Sequence, residues 1–139
     1  MVLKYIMTTI GELLIANAIN MGDAERVKAL HVQGMDFEST VEDVTPLGQA
    51  VRNADFTMVK LLIKLGCDTN TPCQFDYTYR CAPIYWAIRN SNMNIVKLLY
   101  ENNASIGDWG MSSTPNHRDI IYAMRGYSTR GFRWFLEKL

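Results

Sequence analysis

The stretch from Thr45 to Asn70, TPLGQAVRNADFTMVKLLIKLGCDTN, decides how this chain folds. Thr45 is a hydroxyl residue suited to cap a helix, and Pro46 suits the first helical position, where the amide hydrogen that proline lacks is not needed. Asp55 can cap a second helix with apolar residues at helical spacing, and Gly66 suits the left-handed turn that ends it. Because helices this short are not stable alone in water, the stretch predicts a unit that stacks on similar units.

Copies of this unit recur along the chain. The first helix of each copy has a small residue at the same place, and a residue that can cap a helix precedes each second helix. The first column is Ala18, Ala50, Ala87 and Ala123, at intervals of about 32 to 37 residues, and the second is Asp23, Asp55, Asn92 and Ser128. The pattern predicts a single domain of four helix-turn-helix repeats, at approximately residues 9–38, 45–70, 82–106 and 116–139.

The repeat resembles the ankyrin repeat, whose period is about 33 residues. The residues that carry the resemblance are Thr45-Pro46-Leu47, Ala50, Val59-Lys60-Leu61-Leu62 and Gly66 in repeat two, and Ala82-Pro83-Ile84, Ala87 and Val96-Lys97-Leu98-Leu99 in repeat three. Gly48 and Tyr85 stand where the family usually has histidine, and the connections after Asn70 and Asn103 are longer than usual. The resemblance implies an all-α solenoid with a first finger at residues 35–44 and two enlarged finger loops, the second finger at residues 71–81 and the third at residues 104–115. The alternating aromatics 75, 77 and 79 of the second finger suggest a short extended hairpin arm.

The amino terminus gives a separate helix signal. Thr9 and Glu12 have the spacing of a capping box, so the first helix is predicted to begin at Thr9 and to end near Met21. Residues 1–8 are apolar, and the sequence leaves open whether they form a strand-like or a helical lid. We expect no membrane partner and a cytoplasmic location. No apolar run is long enough to span a membrane, and the first residues lack the cleavage site of a signal peptide.

Composition and motifs favour binding over catalysis. The chain has 14 basic and 14 acidic residues, so the overall basic surface that nucleic acid would favour is missing. Cys67, Cys73 and Cys81 form no C-x-x-C pair, and the two histidines, His31 and His117, lie far apart in the sequence. We therefore predict no metal, no cofactor and no enzymatic activity, and leave open whether Cys73 and Cys81 pair.

The candidate site rests on arginine and aromatic residues. The resemblance implies that first helices and finger tips line a concave face, where three arginines fall at the same offset in repeats two, three and four. Arginine is common there in ankyrin-like repeats, so the neighbouring aromatics carry more of the argument, and at least two finger aromatics are expected to be exposed. The candidate partner-binding residues are Gln49, Arg52, Phe75, Tyr77, Tyr79, Arg80, Tyr85, Trp86, Arg89, Trp109, Tyr122 and Arg125.

These residues predict a module that binds a partner protein, as a stoichiometric inhibitor or an adaptor. Runs rich in Asn and Ile, such as residues 90–95, resemble chains from viruses, phages and intracellular bacteria, which favours a host factor as partner and the host-cell cytoplasm as location. One alternative is a groove that binds a phosphorylated small molecule or nucleic acid through arginine and stacked aromatics. Another is self-association through the apolar C-terminal repeat, which contains Phe132, Trp134 and Phe135.

Overall fold

The structure is a computed structural model that describes residues 2–77, 80–90 and 92–105. Those residues contain six helices and one two-stranded antiparallel sheet. The chain divides into two compact units, residues 1–68 and 69–139. The first unit contains α1 (Val2–Asn20), α2 (Ala24–Val32), α3 (Pro46–Arg52) and α4 (Phe56–Lys64), and the second contains β1 (Cys73–Gln74), β2 (Arg80–Cys81), α5 (Pro83–Arg89) and α6 (Met93–Glu101).

The first unit is a pair of helical hairpins. α1 packs against α2 and α3, and α3 packs against α4. Ala18 and Ala50, the small residues that the repeat pattern singled out, are completely buried. A small side chain at this position lets neighbouring helices approach closely, so the predicted repeat unit is confirmed here.

Local capping explains where these helices begin and end. The carboxylates of Asp23 and Asp55 accept hydrogen bonds from the amides of Arg26 (3.0 Å) and Met58 (3.1 Å), at the starts of α2 and α4. Gly66 follows α4 with φ +94°, in the left-handed region that favours glycine. The predicted caps of the second helices in repeats one and two are thus confirmed.

The predicted start of the first helix is wrong. α1 is continuous from Val2 to Asn20, and Thr9 lies inside it rather than at its end. The Thr9 hydroxyl donates to the carbonyl of Tyr5 (3.0 Å), a bond to the preceding turn that a helix interior provides. Since residues 2–8 contain neither proline nor glycine, the helix continues backwards through the apparent capping box.

α1 also corrects the expectation that no apolar run has spanning length. Among the described residues, it is the one helix long and apolar enough, by length and composition alone, to cross a membrane. This is weak evidence, because a core helix or a signal sequence meets the same criterion. In this structure Gly11, Ile15, Ala18 and Ile19 of α1 are buried within the protein.

The second unit repeats the helical hairpin with a longer entry loop. α5 packs against α6, and its core includes Ile84, Ala87 and Leu99, all fully buried. Asn103 adopts φ +70° just past α6, the left-handed conformation that commonly ends a helix. Repeat four and the rest of the third finger, from residue 106 onward, lie outside the described residues.

The second finger is an extended arm, as predicted, but its strands lie at its base. β1 and β2 pair Cys73 with Cys81 and Gln74 with Arg80. The sequence placed the extended segment at the alternating aromatics 75, 77 and 79. In the structure the paired strand residues instead flank this segment on both sides. Both cysteines of the strand pair are buried, so they fill the inner side of the arm.

Candidate functional site

In the second unit, the arm meets the exposed side of α5 at an aromatic and charged cluster, here called the Trp86 cluster (Phe75, Asp76, Trp86 and Arg89). The ring of Phe75 stacks on Trp86, with centroids 5.1 Å apart and planes 7° from parallel. The guanidinium carbon of Arg89 lies 5.5 Å from the centre of the Trp86 ring. Trp86 and Arg89 are three residues apart on α5, so both project from one face of the helix.

The arm and α5 are also joined by charge. The Nη1 atom of Arg89 lies 3.4 Å from Oδ2 of Asp76, and both side chains are partly exposed. A pair this accessible contributes little stability by itself. It does place a carboxylate beside the guanidinium, which offsets the positive charge that a phosphate ligand would require. Arg89 is therefore poorly suited to anchor a phosphate in this conformation.

The structure changes the predicted exposure of several candidate residues. Phe75 is only 4% exposed because it folds back on Trp86, and Tyr85 is also buried, so neither ring is available to a partner in this conformation. Tyr77, at the tip of the arm, is fully exposed, and Arg80 is exposed. Trp86 is half-buried rather than bare. The accessible part of the candidate set in this unit is therefore Tyr77, Arg80 and the outer surface of the Trp86 cluster.

Gln49 and Arg52 belong to a side-chain amide network in the first unit. The Nε2 atom of Gln49 donates to Oδ1 of Asn20 (2.9 Å) and to Oδ1 of Asn53 (3.2 Å). Asn53 donates to the same Asn20 oxygen (2.9 Å), and Arg52 donates to Oε1 of Gln49 (3.4 Å). Sequence reasoning missed the parts played by Asn20 and Asn53. The sequence does contain a signal for Asn20, because it occupies in repeat one the position at which repeats two, three and four have arginine.

A cleft of about 400 Å³ lies beside this network. Its lining combines α1, the tip of the first finger and α3, and includes Leu13, Asn17, Asn20, Gln49 and Arg52. Its lining includes both polar amide side chains and apolar side chains. It brings the two first-unit candidates, Gln49 and Arg52, to one surface.

The cysteines are buried thiols without a metal-binding arrangement. Burial raises the pKa of Cys67 and of Cys81 to about 12, so neither thiol is ionised near neutral pH. Cys73 lies directly opposite Cys81 in the arm, and both are buried. Among residues 2–77, 80–90 and 92–105, no three His, Cys, Asp or Glu side chains converge as metal ligands would.

Four candidates cannot be placed. Tyr79, Trp109, Tyr122 and Arg125 lie outside the described residues, as does the apolar C-terminal repeat. The structure therefore describes the arginine and aromatic candidates of repeats two and three, but not those of repeat four.

Comparison with known proteins identifies the repeats. A family described as ankyrin repeats (three copies) matches residues 13–108, which is more than half of the chain. The chain belongs to the ankyrin-repeat family. It is similar to a putative ankyrin repeat protein of Rickettsia felis, with 28% identity over 82 residues, which cover 58% of this chain and 29% of that protein.

A solved structure supports the same fold. The ankyrin repeat domain of Bcl-3, a member of the IkappaB protein family, superposes with a TM-score of 0.60 at 25% identity. The match covers 66% of this chain and 39% of the other. This chain thus spans well under two thirds of both relatives. The all-α ankyrin fold is confirmed, and ankyrin repeats are protein-protein interaction modules that are generally not catalytic.

Proposed function

We propose that this ankyrin-repeat protein binds a partner protein through the arm and α5 of its second unit. The observation that carries the proposal is the Trp86 cluster, where a half-buried tryptophan contacts both a stacked phenylalanine and an arginine. Tryptophan, tyrosine and arginine are the residues that dominate the energy of protein interfaces. Tyr77, fully exposed at the arm tip, extends the same surface.

The cluster favours binding because its side chains are already ordered. Phe75 supports one face of Trp86, and Arg89 is held between the tryptophan ring and Asp76. Ordering a mobile side chain at an interface costs about 0.5–1.5 kcal/mol. Side chains that are fixed before binding avoid much of that cost, so this surface can bind with few additional contacts.

The finer form of the proposal is that the protein acts as a stoichiometric inhibitor or an adaptor by occupying its partner. A host factor in the host-cell cytoplasm is the partner class we infer. The support is the Asn- and Ile-rich composition together with the likeness to a bacterial ankyrin-repeat protein.

Site-directed photo-crosslinking tests where the partner binds. A photoreactive phenylalanine derivative replaces Tyr77 in the arm, and a matched control carries it at Val32, an exposed residue of α2 in the first unit. In lysate of cells that contain the protein, we expect one specific covalent adduct from position 77 and none from position 32. Equal labelling at both positions would contradict the proposed surface.

Affinity measurements on the captured partner complete the test. We expect Tyr77→Ala and Trp86→Ala each to weaken binding at least about tenfold, as truncation of a hot-spot residue does. Val32→Ala should leave affinity unchanged. A weak dependence on salt is expected for an aromatic anchor, whereas a steep one would favour a phosphate-bearing ligand. Unchanged affinity in a folded Tyr77→Ala/Trp86→Ala double variant would overturn the proposal.

A further inference from the structure

The amino-terminal part of α1 has no counterpart in the other repeats. Ala18 occupies the same place in α1 as Ala50 in α3, so the shared part of α1 begins near Leu14. The preceding segment, Val2–Leu13, adds about three further helical turns. An isolated helix of this length is marginal in water, so its exposed apolar side chains call for a partner surface.

Four of those side chains form a regular stripe, here called the α1 stripe: Leu3, Ile6, Ile10 and Leu13. They are 70%, 46%, 50% and 55% exposed, respectively. Their spacing of three, four and three residues is the a/d pattern of a coiled-coil seam. At 3.6 residues per turn, the stripe lies along one side of the helix.

The charged residues of this segment lie away from the stripe. Lys4 and Glu12 are the charged residues between positions 2 and 20. At 3.6 residues per turn both project roughly 140° from the centre of the stripe. Pairing along the stripe would therefore bury no charge, which removes the largest cost of forming a helix–helix interface.

The stripe is complementary to itself when two helices run in opposite directions. In an antiparallel pair centred on Thr8, Leu3 of one copy meets Leu13 of the other, and Ile6 meets Ile10. Each layer then contains one a and one d residue of equal size, and the arrangement has the two-fold symmetry typical of homodimers. The same surface patch serves both copies.

The direction follows from what the rest of α1 contacts. Gly11, Ile15, Ala18 and Ile19 are buried against the first unit, so the carboxyl half of α1 is fixed to a bulky body. A parallel pair in register would place two such bodies side by side at the same end of the seam. An antiparallel pair places them at opposite ends.

We propose that the α1 stripe is a dimer interface, formed with α1 of a second copy of this chain in an antiparallel coiled coil. The exposed stripe, with Val2 and Met7 at its flanks, has an area on the order of the 300–600 Å² that marks a functional patch. Two copies together approach the lower end of biological interfaces, about 1,000 Å². The dimer is therefore weak and depends on protein concentration.

The charge of α1 favours a protein partner over a membrane surface. A helix that lies in a membrane interface usually carries several Lys or Arg residues on its polar side, which bind anionic lipid. The Val2–Leu13 segment has one basic residue, Lys4, and one acidic residue, Glu12. Its net charge is therefore zero, which gives no attraction to an anionic bilayer.

Sedimentation velocity on the full chain tests the proposal. We expect the average mass to rise from monomer towards dimer between micromolar and near-millimolar protein concentration. Ile6→Lys/Ile10→Lys, which places like charges in the seam, should remain monomeric throughout. The control Val32→Lys, at an exposed position of α2, should dimerise as the unmodified chain does. A monomer at every concentration for the unmodified chain would overturn the proposal.

Disulfide capture tests the direction of pairing. Mixed under mild oxidation by oxidised glutathione, Leu3→Cys and Leu13→Cys chains should form a mixed disulfide with each other in preference to either symmetric pair. Preferential Leu3→Cys homodimers would exclude the antiparallel arrangement. Flotation of the unmodified chain with phosphatidylcholine/phosphatidylglycerol vesicles, lost in Ile6→Lys/Ile10→Lys, would assign the stripe to a membrane surface and overturn the dimer.

Discussion

Two first helices of this protein begin in the same backbone conformation but with different caps. Thr45 (φ −72°, ψ 162°) and Ala82 (φ −63°, ψ 149°) each precede a proline at the first helical position. The Thr45 hydroxyl accepts a hydrogen bond from the amide of Gly48 at 3.1 Å, whereas Ala82 makes no side-chain cap. The pair allows the contribution of one cap to be measured in both directions.

We predict that Thr45→Ala lowers the free energy of unfolding by about 2 kcal/mol. Loss of a threonine cap typically costs about 1 kcal/mol and can reach about 2. Thr45 is 2% exposed and its bond to Gly48 is buried, so water cannot replace the lost acceptor. An unsatisfied buried donor costs about 1–3 kcal/mol, which places the result in the upper part of the capping range. The reciprocal change, Ala82→Thr, should stabilise by up to about 1 kcal/mol.

Urea unfolding followed by far-ultraviolet circular dichroism measures both changes. Thr45→Ser is the control, because it keeps the accepting hydroxyl and removes only a methyl group. Hydrogen exchange at the Gly48 amide gives a local readout, and Thr45→Ala should accelerate it while Thr45→Ser should not. If Thr45→Ser costs as much as Thr45→Ala, the hydroxyl is not what stabilises α3, and the reasoning is refuted.

Three further results are expected. Burial raises the pKa of Cys67 and Cys81 from about 9 to about 12, so the unfolded chain loses these protons before the folded chain does as pH rises. The contribution of the two thiols to the free energy of unfolding should therefore be complete below pH 9 and decrease between pH 9 and pH 12. The slope is at most about 1.4 kcal/mol per pH unit for each thiol, and urea midpoints should show a shallower fall in Cys67→Ala. Ala54→Gly should stabilise by about 0.5–1 kcal/mol in thermal unfolding, since Ala54 has φ +55°, which alanine adopts at a cost; destabilisation would contradict this. A double-mutant cycle with Phe75→Leu and Trp86→Leu should give a coupling free energy of about 0.5–1.5 kcal/mol for the stacked rings, and additive effects would show that the stacking contributes nothing.

Signals that act over a few residues were read correctly from the sequence. Asp55 caps α4 because its side chain and the amide of Met58 are three residues apart. Gly66 ends the same helix because its own backbone conformation, with φ +94°, strongly favours glycine. The buried Ala18 and Ala50 were found because each repeat places its small residue at the same point of the first helix. The fold class follows from such local signals and their recurrence.

The same kind of signal failed at Thr9. A hydroxyl three residues before a glutamate can cap a helix, but inside a helix the hydroxyl can equally bond to the carbonyl four residues earlier. Which of the two occurs depends on whether residues 2–8 are helical, and the Thr9–Glu12 spacing carries no information about that. The exposed α1 stripe was missed for the same reason, since it becomes a continuous surface only when the helix extends to Val2.

The sequence by itself therefore determined the repeat, its caps and the residue types available for binding, because each depends on contacts within one or two helical turns. Only the tertiary structure decided which of those residues a partner can reach. Phe75 and Tyr77 are both aromatic residues of one arm, yet the first is buried on Trp86 and the second is exposed. Arg89 and Arg52 occupy equivalent positions, yet one pairs with Asp76 and the other contacts Gln49. The physical reason is that exposure and pairing are set by side chains from other segments, which the spacing along one helix does not specify.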